Sequence, residues 1–502
     1  MTRSARRLVL LLALVSAAAL RWPSLDLPFD RDEGEYATVA QQWAHGVEPY
    51  RDLLEQKPPL VPLLYRAAFA LGGDTVASVR GLAMVWQLAT VALVFLLMSR
   101  LAGDAAATAA AALYAVASCG TRIQGLTANT ETFVTLPVLA AMLVVTSRHR
   151  GTSAGTPIRQ PSTGRLGRFL LAGFLVGVAS LAKQPAALAV VPIVVLGPSG
   201  LRDRARTGLA ALLGLSLAWL VVLAYFWSRG AAGGAIYCLF SYNLAYGAQG
   251  AGGWVDRALG AGRAVLAEQG LVWLAAAAGA VRARRSGNVA ALVSWLAAAV
   301  GFVAASGRFY PHYFVVTVAP LACLGGLLLQ DREGTRLARN GGTRLAGSIV
   351  GAAAVLLAAA AVARTSWRTW AATSPGERSV RIFGIPHFAL AGEVAEEVAK
   401  IDPGGRTLWI WGAEPELYAL SHRRPANRFL FDYPFTGDAP PYPGGEEEVL
   451  ASLTAPATRV AVVTDRIDAT QAFGRKLAAA LKGGFSPVFR RGPFVVFLRQ
   501  HP

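Results

Sequence analysis

PFDRDEGEYATVAQQWAHGVEPYRDLLEQKPPLVPLLYRAAFAL, residues 28–71, is a polar, acid-bearing stretch set between apolar runs of a hydrophobic chain. Asp30 or Asp32 is placed to cap a helix whose first turn carries Glu33 and Glu35, acids that suit the positive end of a helix dipole. Tyr36, Val39, Ala40 and Trp43 share one face of that helix, with Gln41, Gln42 and His45 elsewhere, so the spacing predicts a helix lying in a membrane interface. Lys57, Pro58 and Pro59 precede an apolar run over 60–71, which Pro at the first helical positions is suited to start. Acids thus enter one helix and a lysine enters the next, which holds opposite charges near each other at headgroup level. The plainer account is that these charges cap helices and bind lipid headgroups.

Working outward, the 502 residues are 54% hydrophobic and only 16% charged, with a mean hydropathy of +0.43. That is more apolar surface than a soluble core needs, and it marks a membrane-embedded chain. The formal charge of +18 comes as short Arg clusters between apolar runs rather than as one basic face, a pattern that orients a membrane protein and argues against a nucleic-acid partner. Cys119, Cys238 and Cys323 lie in or beside apolar segments without metal or disulfide spacing and read as small hydrophobes. The histidines form no HExxH or HxxxH pair, so no strong intrinsic metal motif is present.

Apolar segments lie at roughly 8–22, 76–98, 104–119, 131–146, 169–182, 185–198, 208–227, 264–281, 288–305, 313–329 and 345–363, which predicts about eleven spanning helices. Arg3, Arg6 and Arg7 before the first run resemble a signal peptide, but with so many later spans the segment reads as a retained first helix. With the N-terminus cytoplasmic, alternate loops carry Arg100, then Arg148, Arg150, Arg159, Arg165 and Arg168, then Arg202, Arg204 and Arg206. The same side receives Arg282, Arg284 and Arg285, then Arg332, Arg336, Arg339 and Arg344, so the positive-inside rule is met at each turn. An odd helix count places the first loop, 21–74, and everything after about residue 364 on the extracytoplasmic side of a plasma membrane.

Further polar groups fall on that face. Arg122, Asn129 and Glu131 lie within a short turn, where Arg122 is either a phosphate binder or an interfacial partner of Glu131. Lys183 sits between two apolar runs, placed to face a phosphate or to snorkel. Arg308, Tyr310, His312 and Tyr313 follow the ninth segment; an aromatic belt explains the tyrosines better than it explains the arginine and histidine. The Gly-rich 241–254 lacks a nucleotide P-loop ending and reads as a mobile outer loop, and Gly173 with Gly177 is a helix-contact GxxxG.

In order, DEGEYA, then QKPPL after about twenty residues, TR and NTE, LAKQP and YPHYF resemble the GT-C glycosyltransferases, in particular bacterial relatives of protein O-mannosyltransferases and of the lipid A aminoarabinose transferase, family 39. The resemblance covers 1–330, and the order of the motifs is the specific signal. It implies a polytopic α-helical membrane domain, 1–364, with the active-site acids in the loop 21–74. It also implies transfer of a sugar from a polyprenyl-phosphate donor to a glycan, lipid or protein acceptor among membrane lipids. Asp32 takes the position of the presumed catalytic acid with Glu33 beside it; Lys57 takes the position near the lipid phosphate. Arg122, Lys183 and Arg308 are further candidates for the donor phosphate, and Asp30, Glu35, Tyr36, Glu131, Tyr310, His312 and Tyr313 for substrate contacts. The aminoarabinose transferase instead resembles DETRYA and Glu-Lys-Pro where this chain has Glu35 and Gln56, so that enzyme's acceptor and metal habits do not carry over. No cofactor is required, though Glu33 or Glu35 leaves room for a divalent cation. The chemistry suits the residues: fixed cations stabilise a departing phosphate, and a carboxylate takes or aligns the acceptor proton.

From about residue 365 the composition turns soluble, with strand-like 406–411, 459–463 and 493–498 and helix-like 390–401 and 468–482. This predicts a small α/β domain over 365–502, read as a lid or acceptor-docking domain. Glu414 and Glu416 follow a strand end, where ligands often bind, and the acids of DYPFTGDAPPYPGGEEE read as a solvated rim. The rival reading is a lipid or sugar transporter without transferase activity, which would place its charges in repeated halves; no internal repeat is present.

Overall fold

The computed structural model describes residues 3–146, 162–250, 252–330 and 341–500. Helices run in chain order as α1 (Arg3–Arg21), α2 (Arg31–Ala44), α3 (Leu60–Gly72), α4 (Val76–Leu101), α5 (Asp104–Ala117), α6 (Thr130–Val145) and α7 (Ser162–Ser180). They continue as α8 (Val190–Val195), α9 (Leu201–Ser228), α10 (Ala232–Ile236), α11 (Asn243–Gln249), α12 (Trp254–Arg282), α13 (Val289–Ala304), α14 (Val315–Gly326) and α15 (Gly341–Trp370). The C-terminal part comprises α16 (Pro375–Phe383), α17 (His387–Ile401), β1 (Thr407–Trp411), α18 (Glu416–Ser421), β2 (Arg424–Pro425) and α19 (Tyr433–Thr436). It closes with α20 (Gly445–Thr454), β3 (Val460–Val463), α21 (Ala472–Gly484), β4 (Phe485–Arg491) and β5 (Phe494–Arg499). Arg148, Arg150, Arg159, Arg332, Arg336 and Arg339 lie outside the described residues.

Six segments among the described residues are long and apolar enough to cross a membrane: Arg7–Ser24, Val76–Leu101, Leu201–Ser228, Trp254–Arg282, Pro311–Leu329 and Ser348–Trp370. Leu209, Leu212, Leu213, Leu217 and Leu220 of α9 and Leu356 and Leu357 of α15 stay exposed, as lipid-facing side chains do, and the chain is a multi-pass membrane protein. Other apolar helices are shorter. The run 185–198 is not one helix: it opens as a 3-10 turn, Gln184–Ala189, and continues as the six-residue α8. Pro185 and Pro192 each remove a backbone donor there.

The chain divides into two compact units, one of Met1–Leu25, Arg80–Val222 and Gly253–Ala371, the other of Asp26–Val79, Leu223–Gly252 and Ala372–Pro502. In the first unit the GxxxG reading holds. A Cβ at Gly173 would overlap the backbone of Ala211, one at Gly177 would press on Ala218 and Leu215, and one at Gly214 would overlap Leu170, so α7 and α9 cross at backbone contact distance. Two buried arginines tie loops to helices: Arg21 donates to Ser118 Oγ at 2.7 Å and Arg80 to the Leu126 carbonyl at 2.9 Å.

The second unit carries a five-stranded sheet in the order β2-β1-β3-β5-β4. β2, β1 and β3 are parallel, and β5 pairs antiparallel with both β3 and β4. β4 and β2 went unread in the sequence. β4 bears Pro487 at an irregular register and is largely exposed, and β2 is two residues long; neither shows an apolar alternation. One apolar core joins first-loop residues Val39, Val47 and Leu53 to Val394, Val398, Leu408, Leu417, Val460, Phe494 and Val496 of the C-terminal part.

α2 forms where the sequence predicts it. Asp30 is its N-cap and completes a capping box with Glu33, each side chain accepting from the other's backbone N–H at 2.9–3.0 Å. The polar face expected to meet an interface is instead covered by protein: Gln41 and Gln42 are buried and donate to the carbonyls of Ala419 and Arg423. Gly34 permits this approach, since a Cβ there would overlap the backbone of Glu416. Gly34→Ala is expected to cost about 1–3 kcal/mol through overpacking. Gly392→Ala in α17, with open space around it, should gain about 0.5–1 kcal/mol. Thermal unfolding of the detergent-solubilised protein separates the two shifts by sign.

Candidate active site

The first turn of α2 directs Asp32 and Glu35 to the same side, three residues apart. The chain returns to them through a compact loop in which Tyr50, at a positive φ of 68°, donates its hydroxyl to the Lys57 carbonyl at 2.7 Å. Asn243 of α11 donates to the Gln56 carbonyl at 2.6 Å and the Cys238 carbonyl at 2.8 Å. The stretch read as a mobile outer loop is therefore helical over Asn243–Gln249, after a π-helical turn at Tyr237–Tyr242. Its asparagine fixes the backbone just before Lys57.

Held this way, Lys57 Nζ lies 3.3 Å from Asp32 Oδ1, bonds Glu35 Oε2 and stands 4.9 Å from the centre of the Tyr36 ring. A third acid, Glu55, accepts the Lys57 backbone N–H at 2.7 Å. Two carboxylates thus bond one ammonium, and a third carboxyl holds the backbone of the same lysine. Burial alone would lower the Lys57 pKa, but Asp32 and Glu35 outweigh it and hold the ammonium well above its ordinary value. Burial raises Glu35 against the pull of Lys57. Burial and the neighbouring Glu35 together push Glu55 well above the usual carboxylate range, so its neutral form is favoured. Asp32 is the open member of the group, its side chain 26% exposed against 1% for Glu35.

A second cluster lies in the first unit. Lys183 follows α7 in extended backbone, and its Nζ pairs with Glu131 Oε1 at 2.5 Å and sits 3.4 Å from the centre of the Tyr313 ring. His312 Nδ1 meets Gln124 Oε1 at 3.1 Å, and its ring lies 4.9 Å from that of Tyr313. Beside this group is a small apolar cleft lined by Val134, Val138, Ala186, Trp295, Phe302 and Val316, among others. Tyr310 is 42% exposed, and Arg308 occupies the turn after α13 with its N–H on Ser306 Oγ at 3.4 Å. The partner of Glu131 is Lys183, not Arg122. Arg122 instead offers its backbone N–H to Glu268 at 3.1 Å, and Ser366 donates to the same carboxylate at 2.8 Å.

Several of these residues escaped the sequence reading. Glu268 had a usable signal, an acid inside an apolar span. Glu55 and Asn243 had none, because each acts through a contact distant in sequence. Asp432 was read as part of a solvated rim but is buried. Burial, with Asp465 nearby, pushes its carboxyl up to about 7. A divalent cation beside Glu33 or Glu35 does not fit this donor set. Glu33 closes the capping box, Glu35 holds Lys57, and no group of three His, Cys, Asp or Glu among the described residues could hold an ion.

The profile of the family described as dolichyl-phosphate-mannose-protein mannosyltransferase matches residues 56–228, a span that takes in Lys57, Glu131 and Lys183 and stops short of Asp32. The structure is similar to ArnT from Cupriavidus metallidurans bound to undecaprenyl phosphate, at TM-score 0.56 and 16% identity over 97% of each chain. It is also similar to the Archaeoglobus fulgidus oligosaccharyltransferase in the apo form, at TM-score 0.53 and 14% identity over 95% of this chain and 71% of that one. For AglB of the same organism, in complex with an inhibitory peptide and a dolichol-phosphate, the values are 0.50 and 15% over 99% and 74%. No curated protein matches the sequence. The chain has the GT-C fold, as the order of its motifs implies.

Removing the ammonium strands Glu35, so Lys57→Met is expected to destabilise the protein by about 3–5 kcal/mol, and the double variant Lys57→Met/Glu35→Gln to recover most of the loss. Chemical unfolding of the three proteins checks this. Because the folded pKa of Glu55 is raised, its stabilising contribution is complete below the unfolded value of about 4.3 and is lost as pH rises through the folded value. Glu55→Gln should therefore gain stability over the wild type progressively as pH rises from 5 to 8. A difference that stays constant over that range contradicts the assignment.

Proposed function

We propose that this chain is a glycosyltransferase of the plasma membrane that moves a sugar from a polyprenyl-phosphate carrier to an acceptor on the extracytoplasmic side, with the N-terminus cytoplasmic. The observation that carries the reading is Lys57, buried between Asp32 and Glu35, with Asp32 open on one side. In the reaction the acceptor oxygen attacks the anomeric carbon, the bond from that carbon to the phosphate oxygen breaks, and polyprenyl phosphate leaves with the bonding pair. Lys57 stabilises the charge that grows on the phosphate. Asp32 takes the proton of an acceptor hydroxyl or aligns it for attack. Tyr36 supports Lys57 through its ring face, while Asp30 and Glu33 shape the start of α2.

The comparisons support a lipid-borne donor. The solved ArnT structure contains undecaprenyl phosphate and the AglB complex contains dolichol-phosphate, and the family profile names a mannose carried on dolichyl phosphate. In the first unit, the apolar cleft beside Lys183 and Glu131 has the lining an isoprenoid chain requires. Within the first unit, Lys183, Arg122 and Arg308 are the cations carried over from the sequence as candidates for a phosphate. A donor delivered through the bilayer needs no soluble nucleotide-sugar domain.

Purified protein incubated with a panel of undecaprenyl-phosphate monosaccharides should release the sugar from one of them. Asp32→Asn should slow that release by about 10²–10⁴-fold in a protein that stays folded, its unfolding temperature lowered only modestly because Glu35 still pairs with Lys57. Undiminished release by Asp32→Asn would sink the reading.

A further inference from the structure

The helix that carries Asp32 and Glu35 is held along another of its faces by the C-terminal part of the same unit. Arg31 Nε donates to the Ala413 carbonyl at 2.6 Å, its Nη2 lies 3.4 Å from Glu414 Oε1, and its guanidinium stands 5.8 Å from the centre of the Tyr433 ring. Thr38 Oγ1 donates to the Pro415 carbonyl at 3.0 Å, and Gln41 Nε2 to the Ala419 carbonyl at 3.2 Å. Between them Gly34 lies against the backbone of Glu416. Positions 31, 34, 38 and 41 recur at three- and four-residue intervals and therefore form one stripe. Positions 32 and 35 lie one residue, or about 100°, around the helix from this stripe.

The acceptors in this contact are mainly backbone carbonyls, whose positions follow the fold rather than a choice of rotamer. Ala413 lies two residues beyond the end of β1, and Pro415 is the residue before α18. The parallel sheet therefore fixes the rail, and the rail fixes α2 in both rotation and height. A slip by one residue would turn Asp32 away from Lys57 by about 100°. A misplacement of about 1 Å in a catalytic constellation is enough to cost roughly 100-fold in rate.

We infer that segment 413–419 of the C-terminal domain is a positioning rail for α2, and that Arg31 and Thr38 are positioning residues for the transfer, acting through Asp32 and Lys57 without touching substrate. This assigns the domain a role in the chemistry itself, separate from any part as a lid or acceptor dock, and it rests on the proposed glycosyl transfer. Arg31 locates the first turn of α2, directly beside Asp32. Thr38 locates the second, and the absence of a side chain at Gly34 lets the two surfaces meet.

The test uses the full-length protein in detergent, with undecaprenyl-phosphate mannose as the first probe and the panel above if mannose is not released. Thr38→Val and Arg31→Met should each lower kcat by about tenfold or more with KM changed by less than about twofold. Thr38→Ser, which keeps the hydroxyl, should restore kcat. Amide hydrogen exchange in α2 should quicken in both impaired variants, a readout that needs no substrate, while Arg491→Met, which removes an exposed ion pair with Glu393, serves as the control. The inference fails if Thr38→Val and Arg31→Met turn over and exchange like that control. It fails equally if Thr38→Ser is as impaired as Thr38→Val. Failure of the transfer reading is separate: there Asp32→Asn itself retains turnover, whereas here Asp32→Asn is inactive and the two rail variants are not.

Discussion

A largely buried ammonium clasped by two carboxylates, with a third carboxyl on its own backbone N–H, is the constraint around which the second unit is arranged. Taking Lys57 out of water is tolerable only because Asp32 and Glu35 stand against it, and burying Glu55 beside them is tolerable only because its neutral form is favoured. Such a group keeps its geometry only if the backbone at every member is fixed. The capping box at Asp30 and Glu33 fixes the acids. Tyr50 and Asn243 fix the carbonyls at and before Lys57. Loss of any of these supports leaves a charge in a low-dielectric setting without its partner.

The same constraint explains why a soluble-looking α/β segment belongs to a membrane protein. The core of the second unit draws Val39, Val47 and Leu53 from the first loop and Leu408, Leu417, Val460 and Phe494 from the C-terminal part, so neither portion buries its apolar face without the other. α2 is gripped through backbone carbonyls that extend from a parallel sheet, and a rigid sheet is a better reference for a reactive group than a loop at a lipid surface. In the first unit a different solution is used. Glycines at 173, 177 and 214 bring helices to backbone contact, and buried arginines at 21 and 80 satisfy loop and helix groups where water is scarce.

How much of this could be read from the chain depended on the range of the interaction. The capping box is a local pattern, Asp-x-x-Glu before an apolar stripe, and α2 begins where that pattern places it. The apolar runs mark most of the helices, and the strands 406–411, 459–463 and 493–498 fall on β1, β3 and β5. The first loop sets Asp32 at the start of one helix and Lys57 before the next, an arrangement that holds opposite charges near each other, and the two side chains meet. Hidden from the sequence was everything set by tertiary contact: that Gln41 and Gln42 face protein instead of headgroups, that Asp432 is buried, that Glu131 turns to Lys183, and that Asn243 reaches Gln56. Polar residues on a helix look alike whether water or a carbonyl awaits them, and only the partner surface decides.

The central claim is that Lys57 receives the phosphate of a lipid-borne sugar. Electron cryomicroscopy of the protein in nanodiscs with undecaprenyl phosphate tests it most directly. The account predicts phosphate density within hydrogen-bond distance of Lys57 Nζ, with Asp32 facing the place where the sugar would stand. A phosphate seated elsewhere, with Lys57 still enclosed by Asp32 and Glu35, would contradict it.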